Sequence, residues 1–341
     1  MERSGKNPIE GDLIETRAKW IFDVKGLVHP LDKVIAFPRF IPDLNGHRKR
    51  RGQKYRKVYE LSERFRLLEK SFPQYLENDQ VFDERLCEIP FKDLLCHYDP
   101  VDRLREISDS KESDDLEDCA LTFFQHVNER VDISWICMGI SGSLLAKLHT
   151  PKSDIDPVIY GSDNCSKVHA FLKDTLKDDD DHFKPYNCQE LRILYDFRSK
   201  DTMVSFEDFV RTESRKVMQG KFMQRDYFMR FVKDRSEINE EYGDVQYSNN
   251  GYARLKATVA DDSESIFTPC SYKIDDVRVL EGPEIPIEKV VSFRGRFCEQ
   301  ARKGEAIIAQ GKIEKVKELR KNKRSYRLLL GNRPSDYLNL L

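Results

Sequence analysis

Two carboxylates stand two residues apart in a short apolar segment of this chain. Asp154 and Asp156 flank Ile155 and precede the apolar run 157–160. Because side chains alternate between the faces of a strand, both aspartates are predicted to point the same way. Such carboxylates repel each other unless a cation lies between them, and hard oxygen ligands suit Mg²⁺ or Mn²⁺. The pair therefore predicts a divalent-cation site.

A turn of small residues precedes the aspartates. Gly142 and Ser143 follow a predicted buried strand, 136–140, and precede a predicted helix start, 144–148. A strand, a small-residue turn and a helix N-terminus form a cradle for phosphate, because backbone amides point toward the bound anion. Lys147, one turn into this helix, either adds positive charge to the phosphates or is an ordinary exposed lysine. The pattern predicts a phosphate site beside the cation site.

Taken together, Gly142-Ser143, ten intervening residues and Asp154-Ile155-Asp156 resemble the signature of polymerase β-type nucleotidyltransferases. The resemblance covers roughly residues 120–235, and the whole chain resembles more loosely an archaeal group of predicted nucleotidyltransferases. In the superfamily the Gly-Ser turn holds the nucleotide phosphates and the aspartates hold the metal ions. The resemblance implies Mg²⁺-dependent transfer of a nucleoside monophosphate from a nucleoside triphosphate such as ATP. It leaves the acceptor open among RNA, a protein and a small molecule.

Members of the superfamily usually carry a third carboxylate on a later strand. Asp226 is the first choice here, because it begins the predicted strand 226–232, and Asp196 and Asp234 are alternatives. Without a third carboxylate, a catalytically inactive nucleic-acid-binding protein on the same scaffold becomes the better hypothesis. Pro157 departs from the apolar residue usual after the second aspartate, and it suits an edge strand or an irregular partner.

A densely basic tract with interleaved tyrosines lies nearer the N-terminus. Its cations are Arg48, Lys49, Arg50, Arg51, Lys54, Arg56 and Lys57. The tract is predicted either to contact the phosphate backbone of RNA or another polyanion, or to be a solvated hairpin loop. Two further charged groups have simpler explanations. The acidic run 178–181 is predicted to be a solvated loop rather than a metal site, and Arg294, Arg296 and Arg302 more simply solubilise a hairpin than form a basic face.

Composition narrows the class of protein. The chain has 341 residues, 35% of them charged, and a mean hydropathy of −0.65. This length predicts two or three domains. No run of 18 apolar residues occurs, so no membrane-spanning segment is predicted. The eight cysteines form no Cys-x-x-Cys pair, which is typical of reduced thiols in a cytoplasmic protein. The net charge of −2 argues against nucleic-acid binding over the whole surface.

The order of the predicted elements gives the fold class. Residues 9–40 alternate in strand-like fashion, and helices are predicted at 60–76, 101–107, 116–131, 166–176, 189–197 and 206–219. The last third alternates polar and apolar residues around glycines, which predicts a small β-barrel, OB-like in type. We therefore predict an α+β protein with three parts. These are an N-terminal β-rich domain with a helix (1–100), a nucleotidyltransferase-like mixed sheet with helices (101–240) and a barrel-like domain (241–341).

Overall fold

A computed structural model describes residues 7–177, 182–199 and 204–341. The chain divides into two compact units. The first takes Met1–Asn78, Arg85–Lys184 and Val217–Asn239, and the second takes Asp79–Glu84, Pro185–Lys216 and Glu240–Leu341. The acidic run 178–181 lies outside the described residues. The boundaries predicted at 100 and 240 stay predictions.

Among the described residues, the N-terminal part of the first unit is an eight-stranded sheet. Its strands are β1 Leu13–Thr16, β2 Ile21–Val24, β3 Lys33–Pro42, β4 Arg48–Arg50, β5 Gln53–Lys57, β6 Leu76–Asp79, β7 Glu84–Pro90 and β8 Leu94–Tyr98. The strand order is β4-β5-β3-β2-β1-β8; in addition, β7 pairs with β3, and β6 pairs with β7. Strand β3 lies inside the sheet although it contains Pro38, and proline is usually confined to edge strands. The proline is tolerated because it falls between the segment paired with β7 and the segment paired with β5.

Helices and two small sheets complete the first unit. The helices are α1 Leu61–Ser71, α2 Pro100–Asp109, α3 Asp115–Val131, α4 Gly142–Leu145 and α5 Ser162–Thr175. Asp99 caps α2 by accepting from the amides of residues 101 and 102, with Pro100 at the first helical position. Asp114 caps α3 in the same way. Helix α4 is a single turn, shorter than the helix predicted from residue 144.

The two small sheets contain β9 to β14. These strands are β9 Met138–Ile140, β10 Pro157–Tyr160, β11 Phe183–Lys184, β12 Gln219–Phe222, β13 Arg225–Phe228 and β14 Arg230–Val232. Strand β10 lies between β9, which is antiparallel, and β14, which is parallel. Pro157 is therefore the first residue of a central strand and not part of an edge, a position where a missing donor is tolerated. The predicted strand 226–232 is divided at Met229, because β13 pairs with β12 and β14 pairs with β10.

The second unit contains helices α6 Cys188–Arg198 and α7 Phe206–Glu213 and the C-terminal strands. The prediction of a helix through residue 219 is wrong beyond Glu213. Gln219 instead begins the β12–β13 hairpin of the first unit, whose turn residues Met223 and Gln224 both have positive φ. The tight turn and the pairing of these strands override the local preference for helix.

The C-terminal strands close into a barrel. They are β15 Val245–Asp261, β16 Cys270–Glu281, β17 Ile287–Ser292, β18 Ala306–Glu318, β19 Lys323–Leu330 and β20 Tyr337–Leu340. Pairing runs β15-β16-β17-β19-β18 and returns from β18 to β15, with β17 and β19 parallel. This order, in which the third strand pairs with the fifth, is typical of OB-type barrels. Gly311 allows the close approach of β18 to β19, because a Cβ there would lie 2.7 Å from the Leu330 Cδ2 atom.

The α+β class, the N-terminal sheet and the C-terminal β domain are confirmed by this architecture. Its first unit has buried aromatic cores, in which Phe123, Phe183, Phe222 and Tyr227 contact one another. Among the described residues, no helix combines the length and the apolar character needed to cross a membrane.

Candidate active site

The two halves of the sequence motif meet directly. Gly142 has φ +61°, and a Cβ on this residue would overlap the carboxylate of Asp156, lying 2.6 Å from its Cγ atom. Glycine is thus required at position 142 for two reasons: the left-handed backbone and the space that Asp156 occupies. The turn and the second aspartate therefore form one site.

Backbone hydrogen bonds hold both halves in place. The Ser141 amide donates to the Asp156 carbonyl oxygen at 2.9 Å, and the Ser141 hydroxyl donates to the Gly11 carbonyl oxygen at 2.6 Å. Ile155 is fully buried. Its amide donates to the Asp226 carbonyl oxygen at 2.9 Å, and its carbonyl accepts from the Phe228 amide at 3.0 Å. The aspartates therefore flank a buried, extended residue immediately before β10 rather than within the strand itself.

Two polar atoms at this junction are buried and make no hydrogen bond within the described residues. They are the Ser143 hydroxyl oxygen and the Asp156 Oδ2 atom. Buried polar atoms almost always have a partner, and leaving one without a partner costs about 1–3 kcal/mol. An orphaned hydroxyl and an orphaned carboxylate oxygen on the two halves of one motif mark a place for a polar ligand.

The electrostatic environment of Asp156 is unusual. Burial, and after it the neighbouring Asp154 carboxylate, raise the pKa of its carboxyl group to about 7, against the opposing effect of Lys57, Arg39 and Arg230. A carboxylate pair of this kind favours a bound cation, because a cation relieves both the desolvation and the mutual repulsion. The nearby cations are suited to an anionic ligand at the same place.

Arg230 is central to the charge network behind the aspartates. Its guanidinium lies 2.8 Å from Glu10 and 3.7 Å from Asp23, and its position on β14 is beside Val158 on β10. Burial works to lower the pKa of Arg230, but Glu10 and Asp23 raise it above its ordinary value. Burial likewise works to raise the pKa of Asp23, but Lys25, Arg230 and Arg39 hold it well below the usual range. Arg230 therefore remains charged, and so does Asp23 at neutral pH.

Asp226 lies beside Asp154 in the register of neighbouring strands, because Ile155 bridges Tyr227 in parallel. Its carboxylate, however, forms an ion pair with Lys221 at 2.9 Å and is about half exposed, at 52%. Among the described residues, no group of three or more His, Cys, Asp or Glu side chains is arranged to hold a metal ion. The structure thus brings the backbone of Asp226 to the site without forming a three-carboxylate cluster.

The other two candidates for a third carboxylate have different surroundings. Asp234 caps a 3-10 turn by accepting from the Ser236 amide and hydroxyl. Asp196 lies on α6 of the second unit. Strand β14, which neighbours β10, contributes only Arg230, Phe231 and Val232. The strand that neighbours β10 therefore carries a cation, Arg230, and no carboxylate.

Lys147 has a local partner. It adopts a left-handed backbone, φ +53°, and its ammonium group forms an ion pair with Glu106. This arrangement follows from the early end of α4, after which Lys147 no longer occupies a helical position. Its predicted contact with phosphates requires this ion pair to open.

Some cations of the basic tract are bound within the protein, and others are exposed. Arg48 is buried and donates to the Leu148 carbonyl oxygen at 2.6 Å, and Arg50 donates to the Ala146 carbonyl oxygen at 3.0 Å. Both thus hold the segment that follows the Gly-Ser turn. Arg56 pairs with Asp43 and Glu63. The exposed cations of the tract are Lys49, Arg51 and Lys54.

We expect Arg50→Ala to lower the free energy of unfolding by about 3 kcal/mol, because it leaves Glu15 buried without its cation. The guanidinium lies 2.8 Å from the Glu15 carboxylate and also donates to the Tyr98 hydroxyl. Lys49→Ala, one residue away and exposed, is the matched control and should change stability by less than about 0.5 kcal/mol. Urea denaturation measures both. Equal stability of the two variants would contradict a structural role for Arg50.

Several residues of the site were missed from the sequence. Arg39 and Arg230 are distant from the motif along the chain, and only the folding of the N-terminal sheet and β14 brings their charges to Asp156. Asp23 in turn interacts with both of these arginines. One signal existed in the sequence, since Arg230 is a charged residue within the otherwise apolar run 227–232. Charged residues in such strands are rarely buried without a partner.

These features define an α+β protein with a buried Gly-Ser and Asp-x-Asp junction in its first unit and a barrel in its second. The chain is 32% identical over 315 residues to the uncharacterized protein MJ1086 of Methanocaldococcus jannaschii, covering 89% of this chain and 90% of that protein. It therefore belongs to the same family as this archaeal protein. No family model matches the chain, and no solved structure matches it.

Proposed function

We propose that this protein is a divalent-metal-dependent nucleotidyltransferase that transfers a nucleoside monophosphate from a nucleoside triphosphate to an acceptor. The observation that supports this best is the contact between Gly142 and Asp156, beside which two buried polar atoms make no hydrogen bond within the described part of the chain. The spacing of the motif resembles that of the polymerase β-type superfamily. The proposal therefore rests both on this resemblance and on the environment of the Ser143 and Asp156 side chains.

The donor set is compatible with Mg²⁺ or Mn²⁺. Mg²⁺ is commonly bound through one or two carboxylates together with substrate phosphates, so Asp154 and Asp156 suffice when a triphosphate supplies further oxygens. The orphaned Oδ2 atom of Asp156 and the raised pKa of its carboxyl group fit such a role. When bound, the metal would supply electrostatic stabilisation of the charge on the phosphoryl oxygens.

The chain's own residues have distinct tasks in this proposal. The Ser143 hydroxyl and the amides of the turn bind the β- and γ-phosphates. Lys57, Arg39 and Arg230 supply positive charge around Asp156 and oppose the accumulation of negative charge when the triphosphate enters. An acceptor hydroxyl then forms a bond to the α-phosphorus, the bond from the α-phosphorus to the bridging oxygen breaks, and pyrophosphate leaves with that oxygen. The acceptor's proton passes to solvent or to a neighbouring base.

A second function is favoured by one observation. Strand β14 carries no carboxylate, and Asp226 is paired with Lys221. This arrangement fits a protein that binds nucleotide or nucleic acid on a transferase scaffold without catalysing transfer. The two functions differ in whether label from the α-phosphate reaches an acceptor.

The test is incubation with each α-³²P-labelled nucleoside triphosphate, Mg²⁺ and either total cellular RNA or total protein. We expect label in one acceptor fraction, and loss of at least about a hundredfold in Asp154→Asn/Asp156→Asn. The control Asp109→Asn/Asp115→Asn removes the same charge from two exposed positions and should keep full activity. Calorimetry of ATP binding with and without Mg²⁺ accompanies the assay. Metal-dependent binding without transfer supports the second function, and metal-independent binding contradicts the proposal.

A further inference from the structure

The barrel strands of the second unit extend past the closed ring as a three-stranded ribbon. Residues 314–318 of β18 pair with residues 245–249 of β15 on one side and with residues 323–327 of β19 on the other. Strand β16 pairs with β15 only from Arg254 onward. One face of the ribbon is covered. On that face Tyr247 stacks on Phe82 with centroids 5.5 Å apart, and Arg327 lies over the Tyr247 ring.

The opposite face of the ribbon carries a set of side chains that we call the basic ledge. Strand alternation and register place these residues on one surface: Lys315, Lys317, Arg324, Tyr326, Gln246 and Ser248. Lys317, Arg324, Gln246 and Ser248 are exposed, and Lys315 and Tyr326 are half-buried. The ledge was not recognised in the sequence, because its members come from three strands.

The charges of the ledge are not balanced. Lys317 lies directly opposite Arg324 in the register, and like charges at opposed positions destabilise a sheet. No Asp or Glu occupies the six ledge positions. Within the described residues, no ion pair involves Lys315, Lys317 or Arg324. An arrangement that is unfavourable in the isolated protein becomes favourable when an anion bridges the two cations.

The geometry also suggests the kind of anion. Lys315 and Lys317 are separated by two residues of an extended strand, about 6.8 Å, a spacing comparable to that of successive phosphates in an extended single strand. Tyr326 lies opposite Lys315 and offers a ring on which a base can stack. Gln246 and Ser248, opposite Lys317 and Lys315, both donate and accept hydrogen bonds, as a ribose 2′-hydroxyl does.

We infer that the basic ledge is a binding surface for single-stranded RNA. The two lysines and Arg324 contact consecutive phosphates, Tyr326 stacks on a base, and the two polar side chains contact the 2′-hydroxyl groups. This inference does not depend on the proposed transferase activity, because binding at the ledge uses none of the residues around Asp156.

The test uses the full chain and a fluorescein-labelled single-stranded RNA of about 12 nucleotides, followed by fluorescence anisotropy at several salt concentrations. We expect Lys317→Gln/Arg324→Gln to weaken binding about tenfold at low salt. The slope of log K against log salt should flatten by about 0.7, since the two cations bridge one phosphate and each phosphate contact contributes about 0.7. Tyr326→Ala should weaken binding at least about fivefold and leave the slope unchanged.

The matched control is Lys256→Gln/Arg278→Gln. These residues form another opposed pair of exposed cations on the same barrel, with Asp275 and Asp276 nearby on β16, so their removal should leave RNA binding unchanged. Three results would overturn the inference. They are equal effects of the two double variants, equal affinity for DNA of the same sequence, and competition by polyglutamate as effective as competition by RNA. Far-ultraviolet circular dichroism establishes that each variant is folded.

Discussion

Gly142→Ala is expected to abolish metal-dependent ATP binding and to reduce any nucleotidyl transfer at least about a hundredfold. The added Cβ would occupy the position of the Asp156 carboxylate, so the carboxylate must move away from residue 142. The substitution also places alanine in a left-handed backbone, which costs about 1–2 kcal/mol. Calorimetry of ATP with Mg²⁺ and thermal unfolding measure the two effects separately.

Gly52→Ala is the control for the backbone contribution. Gly52 has φ +82°, and a Cβ on this residue would have no atom within 4 Å. Gly52→Ala should therefore lower the free energy of unfolding by a similar amount through its backbone, and it should leave ATP binding unchanged. If Gly142→Ala binds ATP as well as Gly52→Ala does, the close contact between the turn and Asp156 has no part in ligand binding.

Asp156→Asn is expected to stabilise the metal-free protein at alkaline pH by about 2–4 kcal/mol. The folded protein holds the Asp156 proton up to a pKa of about 7, whereas the ordinary value is 3.8. Between these values the folded state binds more protons than the unfolded chain. The free energy of unfolding therefore falls as pH rises from about 4 to 7, and the loss is complete above that range. Asparagine removes this loss because it does not ionise.

Urea denaturation in EDTA at pH 5 and pH 8 measures the effect, which should be large at pH 8 and small at pH 5. Asp154→Asn should recover a smaller part of the stability, because burial rather than repulsion is the main cause of the raised pKa. Adding Mg²⁺ at pH 8 should stabilise the wild type and leave Asp156→Asn unchanged. An Asp156→Asn variant with the same pH dependence as the wild type would show that this carboxyl group is not the one that titrates.

The local elements of this protein follow largely from its sequence. The helices α2 and α3 begin at aspartates that cap them, and their apolar positions recur at helical spacing. The Gly-Ser turn and the aspartate pair were recognisable because they are short motifs of particular residue types at a fixed spacing. The alternation of the last third likewise indicated a barrel. These features depend on interactions between residues close in sequence, which is why pattern analysis finds them.

The surroundings of the motif were decided by tertiary structure. The carbonyl oxygen of Asp226 accepts a hydrogen bond from the Ile155 amide, between the two aspartates. The Asp226 carboxylate instead forms an ion pair with Lys221, across the β12–β13 hairpin. Arg48 and Arg50 look like surface cations in the sequence, yet they bind carbonyl groups of the segment 146–148 about a hundred residues later. Arg230 reaches Glu10 across 220 residues.

The basic ledge on the barrel shows the same contrast between what the sequence suggests and what the tertiary structure brings together. In the sequence, Arg294, Arg296 and Arg302 were the candidates for a basic face, but Arg296 donates to the Arg198 carbonyl oxygen and Arg302 donates to the Arg215 carbonyl oxygen. No pattern in the sequence distinguishes Lys317 and Arg324, but the register of β18 and β19 places them opposite each other. The sequence by itself determined which segments form helices and strands and where the Gly-Ser and Asp-x-Asp motif lies. The tertiary structure decided which charges are neutralised and which remain free, because a charge is balanced by its neighbours in space, and those neighbours come from distant parts of the chain.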